Sequence, residues 1–295
     1  MAFQDALRTH LETGLTTLAR AWGITRADGE AFGFTDHDRD LTFEGLTFRA
    51  QSGLSAGALE QSSGLSIDNT EALGVLSDLS IREEDIDAGR YDGAQVVAWL
   101  VNWADVRERS LLFRGSIGEI RRSGGAFRAE LRGLSEALNQ PMGRVYQKPC
   151  TAVLGDAQCR FDTAQGGYFA RLDVAELEDN RIFRWVGLGD FEPGWFTNGF
   201  TTIETGAAQG LSGTVKRDYV DGEGRRILEL WEPIRAAVQP GDRVHLVAGC
   251  DKRFETCRLK FSNALNFQGF PDIPGEDWLT SYPVRAGDNS GGSRR

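Results

Sequence analysis

The sequence predicts a mainly β fold (α+β), arranged as two β-rich domains with few helices. Three observations lead there. Short segments alternate apolar and polar residues, turn-forming pairs separate them in both halves of the chain, and only the first residues show a clear helical period.

Taken in order, Ala6, Leu7, Leu11, Leu15 and Leu18 recur at close to helical spacing between Phe3 and Ala19, with charges between them. This predicts a short amphipathic helix. From Trp22 onward, Asp28-Gly29 and Glu44-Gly45 interrupt short segments at Ala31–Thr35, Leu41–Phe43 and Leu46–Phe48, which is hairpin chemistry. Ser80 followed by Glu83, Glu84, Asp85 and Asp87 has the spacing of a capping box, so these acids are read as a helix start. Ala94–Trp103 sets Val97, Trp99, Val101 and Trp103 on one alternating face. Its β-branched and aromatic content predicts a strand, with Trp99 and Trp103 in the core.

Further strands are expected at Leu111–Ile120 and Phe127–Leu131, then a short helix at Ser135–Asn139 ended by Pro141. After Gly166-Gly167 a second strand-rich block begins. Gly213–Tyr219 and Arg226–Trp231 flank Asp221-Gly222-Glu223-Gly224, another hairpin signature. Pro240-Gly241-Asp242 turns into Arg243–Ala248, where Val244, Leu246 and Ala248 share a face. Beyond Cys257 the Asn, Gly, Pro and aromatic content suits an ordered loop packed on a core. The expected boundaries are 1–165 and 166–284 for the two domains, with a small, polar, disordered tail at 285–295.

Composition narrows the function. Forty-three acidic against thirty-three basic residues give a formal charge of −10, and no basic stripe is evident. A nucleic-acid-gripping surface is not expected, because phosphate neutralisation supplies most of that affinity. An acidic surface does suit a conduit through which DNA slides without sticking. No run approaches the roughly 18–20 apolar residues of a membrane span, and no secretory signal is visible at the start. The expectation is a protein made and assembled in the cytoplasm.

The four cysteines are the most informative residues. Cys150 and Cys159 have eight residues between them, Cys250 and Cys257 six, and Arg160 and Arg258 follow the second member of each pair. Cytosolic thiols stay reduced, so two pairs point away from disulfides and towards four thiolates on one metal centre. Zinc pairs usually sit two to four residues apart, and an iron–sulfur cubane tolerates wider loops. Spacing leaves both open, beside the reading of four unrelated buried thiols. A centre using all four would close a loop of about ninety residues, removing several kcal/mol of unfolded-state entropy, so it can be purely structural.

Other candidates carry plainer readings. Asp36-His37-Asp38 and Asp40 fall between short strands, where such residues bond the backbone. His10, His37 and His245 are widely scattered, and no phosphate loop, nucleophile elbow or zinc-protease helix is present. No catalytic residues are expected.

Several stretches together resemble the tail-tip hub proteins of gene transfer agents and related siphophages. They are Tyr91-Asp92-Gly93-Ala94, Cys150 through Gly155-Asp156 to Cys159, and Gly249-Cys250-Asp251 with Cys257-Arg258. The strongest is Phe261-x-Asn263 leading into Asn266-Phe267-x-Gly269-Phe270-Pro271-x-Ile273-Pro274-Gly275. The resemblance implies a non-enzymatic baseplate hub at the tip of the released particle, built of two tube-like barrel modules joined by the metal centre. It implies a homotrimer between the distal tail protein and the large tail-tip protein, with a tail-associated cell-wall peptidase nearby and DNA only in transit. It also implies a [4Fe–4S] cluster on Cys150, Cys159, Cys250 and Cys257, with zinc as the alternative metal. The rival readings are an iron–sulfur electron-transfer protein and a zinc-stabilised binding module.

Overall fold

The computed structural model describes residues 5–14, 17–50, 55–56, 69–75, 82–123, 126–133, 143–188 and 191–273. The fold is mainly β, with two sheets and, among the described residues, only three short α-helices. None of those helices is long and apolar enough to cross a membrane. The chain divides into two compact units, Met1–Pro141 and Met142–Arg295. The division at 165 read from the sequence falls inside the second unit, so all four cysteines share one unit.

In the first unit the helix α1 spans only Asp5–Glu12. It ends in the turn at Thr13 and Gly14, whose amides donate to His10 and Leu11 carbonyls. Leu18 and Ala19, expected to continue it, instead open the strand β1 (Leu18–Thr25). That strand sits at the centre of a nine-stranded sheet. The others are β2 (Ala31–Thr35), β3 (Leu41–Phe43), β4 (Leu46–Arg49), β5 (Ser55–Ala56), β6 (Asn69–Val75), β7 (Gln95–Asn102), β8 (Arg109–Ser123) and β9 (Ala126–Gly133), in the order β3-β4-β2-β1-β7-β8-β9-β6-β5. All pairings are antiparallel except β2 with β4.

Both faces of this sheet are covered, and the period-two geometry of a strand explains how. On β1, Ala19 and Ala21 join a cluster with Leu41, Phe43, Phe48 and Val101. Trp22 and Ile24, of the opposite parity, join Phe34, Val96, Phe113 and Leu131. Trp99 packs edge-on against Phe43 and Phe48 at 5.6 and 5.5 Å. Trp103, expected in the core, lies beyond the end of β7 and is 42% exposed, resting against His37 at 5.0 Å. The helix α2 (Glu83–Asp87) forms at the acidic run, with Arg82 rather than a capping serine at its N-cap. Ser80 and the expected helix at Ser135–Asn139 lie outside the described residues.

The second unit contains β10 (Phe169–Asp173), β11 (Glu176–Glu178), β12 (Ile182–Trp185), β13 (Phe200–Ile203), β14 (Ser212–Val220), β15 (Arg226–Leu230) and β16 (Arg243–Val247). Their order is β10-β16-β13-β14-β15-β12-β11. Only Val174 and Ala175 separate the two edge strands β10 and β11 in sequence. The two edges are thus halves of one bent stretch of chain, which curls the sheet round on itself and leaves no long free edge. Phe183, Ile203, Val215, Leu228, Leu230, Val244 and Leu246 fill its core. The hairpin after β14 turns as its sequence predicts, with the Asp221 carboxylate accepting from the amides of Glu223 and Arg225 at 2.9 Å each. Arg226 forms a buried ion pair with Asp218 and also donates to the Phe191 carbonyl at 3.1 Å. Asp218 in turn accepts from the Phe196 amide at 2.9 Å, so this pair anchors the loop before β13.

Candidate metal centre

The cysteines lie on loops at the two chain ends of the barrel. Before it, Asp156 curls the chain between Cys150 and Cys159. One carboxylate oxygen accepts from the amides of Gln158 and Cys159 at 2.9 and 2.6 Å, the other from Val153 at 2.8 Å. These donors, Cys159 first, hold the Asp156 carboxyl below its ordinary value. After the barrel, the chain leaves β16 through Gly249. A Cβ here would lie 1.7 Å from the Thr197 carbonyl oxygen, so only glycine lets the backbones cross this closely. Cys250 follows at once. Asp251 then accepts from the Arg253 amide at 3.0 Å and starts the helix α3 (Phe254–Leu259), which presents Cys257.

Backbone contacts bring the two loops together. The Cys150 amide donates to the Lys252 carbonyl at 2.8 Å, and Lys252 Nζ reaches the Ala152 carbonyl. Tyr168 Oη donates to the Lys260 carbonyl at 2.7 Å, and Tyr168, Phe161 and Phe261 stack into one aromatic cluster. Gly269 passes so close to the other loop that a Cβ would stand 2.5 Å from the Lys148 carbonyl oxygen.

All four cysteines are free thiols, Cys159 and Cys257 buried and the other two half-buried. Together they line one pocket, with Ala152, Leu154, Lys252, Asn263 and Phe267 among its walls. Among the described residues, no three or more His, Cys, Asp or Glu side chains are gathered tightly enough for a single metal ion. Burial, and then the proximity of the other three cysteines, pushes the Cys257 thiol up to about 11. Burial also raises Cys250, opposed by the amide and charge of Lys252. Gathering four thiolates here is electrostatically unfavourable unless a cation joins them, which is the chemistry of a metal site. The donor set and its pairing therefore fit a thiolate-bound centre.

Three neighbours of this site are given no role of their own by the sequence, although Asp156 and Asp251 stand within its family-like stretches. Asp156 and Asp251 shape the loops, and Lys260 is half-buried beside them. Its ammonium donates to the Trp195 and Gly249 carbonyls at 2.6 and 2.9 Å and sits 4.2 Å from the Trp195 ring centre. The signal for the two aspartates was their position, three residues before one cysteine and one after another. The lysine carried no signal, because its carbonyl partners Trp195 and Gly249 are distant or unremarkable in the sequence.

The other candidates stay apart from any such gathering. In the Asp36–Asp40 turn, Asp36 accepts from the Arg20 amide at 2.6 Å and Asp40 from the Ala50 amide at 2.8 Å. His37 Nδ1 accepts from the Arg39 amide at 2.9 Å. His245 lies on the half-exposed face of β16 against Phe169, and burial lowers its pKa.

Comparison with known proteins agrees with this architecture. The family model described as "Baseplate hub protein, N-terminal attachment domain" matches residues 4–162, more than half of the chain. A second, described as "Phage conserved hypothetical protein BR0599", matches residues 194–277. No curated protein matches. Among solved structures, a chain of the virion of a native gene transfer agent particle is 51% identical. The match covers 98% of this chain and 99% of that one, with a TM-score of 0.90. A crystal structure named as an oxidoreductase from Sinorhizobium meliloti 1021 matches at 10% identity, covering 91% of this chain and all of that one. Its TM-score of 0.22 carries no argument. The chain belongs to the baseplate hub family, the structural proteins of phage-like tail baseplates.

Proposed function

We propose that this chain is the hub of a gene-transfer-agent-like tail. In this reading three copies form a ring between the distal tail protein and the large tail-tip protein and line part of the DNA-delivery conduit. The four cysteines hold a structural [4Fe–4S] cluster in each copy. The observation that carries the cluster is the single pocket that all four thiols line, drawn from two stretches about ninety residues apart. A zinc ion needs four sulfurs at about 2.3 Å from one point. The four thiols line one pocket, and among the described residues no three of them are gathered as a single-ion site. A cubane, with a separate iron for each thiolate, suits four cysteines drawn from two wide loops. When bound, the cluster supplies a rigid four-armed cross-link. The protein's own residues shape the loops, exclude water from two of the sulfurs and place ammonium groups around the site. The homotrimer rests on the family and on two β units per chain, three copies then giving six β modules around the tube.

Anaerobic reconstitution with iron and sulfide tests the centre. The expected result is about four irons and four sulfides per chain, with the broad visible absorption of a cubane. Stoichiometric zinc with no visible absorption would replace the cluster by the zinc reading. A reconstruction of the assembled particle tests the ring: three hub copies at the tip are expected, and six copies or none would overturn it.

A further inference from the structure

The segment following α3 is the strongest family-like stretch of the sequence, and no role has yet been assigned to its polar residues. In the structure it supplies a polar partner to three of the four sulfurs. The Gln268 amide donates to Cys150 Sγ at 3.4 Å. Asn263 Nδ2 lies 3.5 Å from Cys159 Sγ and donates to the Cys159 carbonyl at 2.7 Å. The Cys257 thiol donates to the Asn263 carbonyl at 3.3 Å, while the Asn263 amide donates to the Cys257 carbonyl at 3.0 Å. Asn263 therefore touches one cysteine of each pair. Its own orientation is fixed, since its Oδ1 accepts from Asn266 Nδ2 at 2.7 Å. Phe267 on the same segment packs edge-on against Phe254 of α3 at 5.1 Å, which holds the segment over the pocket.

We propose that Asn263 is a positioning residue for the centre. Its side-chain amide reaches the Cys150–Cys159 loop and directs an N–H donor at a ligand sulfur, while its main chain bonds Cys257 of α3. The inference rests on the cluster reading and adds what sets the cluster's retention and potential. A carboxamide suits the task because one end donates towards sulfur and carbonyl while the other accepts from Asn266. An N–H directed at a thiolate disperses its negative charge. That favours ligation and favours the reduced, more negative cluster, so the donor raises the reduction potential. Partners of this kind typically change metal retention 10- to 100-fold when removed.

The test uses the full chain, reconstituted anaerobically, with Asn263→Asp and Asn263→Ser. Aspartate keeps the shape and the acceptor for Asn266 but replaces the donor by an anion. Serine removes the amide without adding charge, and serves if the aspartate variant fails to fold. Three quantities are read: iron loss to a chelator, the midpoint potential, and the melting temperature of the metal-free chain. The expected result is iron loss about 10–100-fold faster and a potential shifted negative, more for aspartate than for serine. Wild-type retention and potential in both variants would overturn the inference and leave the cluster reading standing. A lowered metal-free melting temperature with an unmoved potential would also overturn it, by reducing Asn263 to a packing residue. Failure of the wild-type chain to take up iron and sulfide would overturn the cluster reading itself.

Discussion

The barrel of the second unit and the cysteine-bearing loops at its two ends are held by different forces. In the barrel, Phe183, Phe196, Ile203, Leu228, Leu230 and Leu246 are at most 1% exposed and pack into one core. Each such side chain contributes about 1.5–3 kcal/mol by burial. The loops on either side, residues 143–168 and 249–273, contain only the six-residue α3 and the 3-10 turn Ala264–Asn266 as regular helix. They are fixed by side-chain-to-backbone hydrogen bonds and by aromatic edges, each worth about 1 kcal/mol. The barrel is therefore self-supporting. The loops are arranged as a site that a cross-link would complete.

The largest effect tests that division directly. Cys159→Ser or Cys257→Ser should abolish the centre and remove about 4 kcal/mol from the loaded protein, the value for closing a loop of this length. Metal analysis and thermal melts, with and without chelator, measure both. Wild type treated with chelator should melt like the variants. Full metal content in both variants would break the idea of one shared four-cysteine centre. The barrel gives the converse: Phe183→Ala should cost about 3–5 kcal/mol whether or not metal is present. A cost that vanished on loading would mean that core and centre are not independent.

The same contrast governs how much was legible in the sequence. Hairpins such as Asp221–Gly224 and the half-buried strand β16 announce themselves, because turn chemistry is local and one-sided burial leaves an alternating pattern. The central strand β1 did not. Its residues Ala21 to Ile24 are buried on both faces, which erases alternation, and Leu15 and Leu18 extended the apparent helical period past α1. For the site, the pairing of cysteines was visible as spacing. Their common pocket depends on contacts between residues about a hundred positions apart, such as Cys150 with Lys252. Asn263 stood in a recognisable motif, but its contact with Cys159 is likewise a long-range fact.

A smaller effect comes from Asp156, which separates the turn from the centre. Its folded carboxyl is held below the ordinary value of 3.8, chiefly by the Cys159 amide and then by Val153 and Gln158. A depressed folded pKa adds stability that is complete above the unfolded value and is lost as pH falls through the folded one. In the metal-free chain, wild type should therefore outlast Asp156→Asn at neutral pH. The gap should close as the pH drops below the ordinary carboxylate value. A gap that persisted unchanged in acid would mean that shape, not charge, makes the turn. The loss should be smaller than that of Phe183→Ala.

The smallest effect is expected in the first unit, where a cluster that looks chemical is committed to its backbone. Asp36, His37 and Asp40 each accept a main-chain amide, from Arg20, Arg39 and Ala50. The remaining acid, Asp38, is 81% exposed and pairs with His37 only when the ring is protonated, since it faces the same Nδ1 that otherwise accepts from Arg39. Such a pair contributes little, because its carboxylate stays in water. The imidazole face is taken by Trp103 rather than by a substrate-sized space. The cysteine sulfurs differ on each point, since they face one shared pocket. His37→Ala with Asp38→Asn should accordingly change stability by no more than about 0.5–1 kcal/mol. Tail assembly and DNA delivery should continue at the wild-type level, as read by particle counts and transfer frequency. Normal particles that assemble yet fail to deliver DNA would overturn the structural reading of this turn and make it a second functional site.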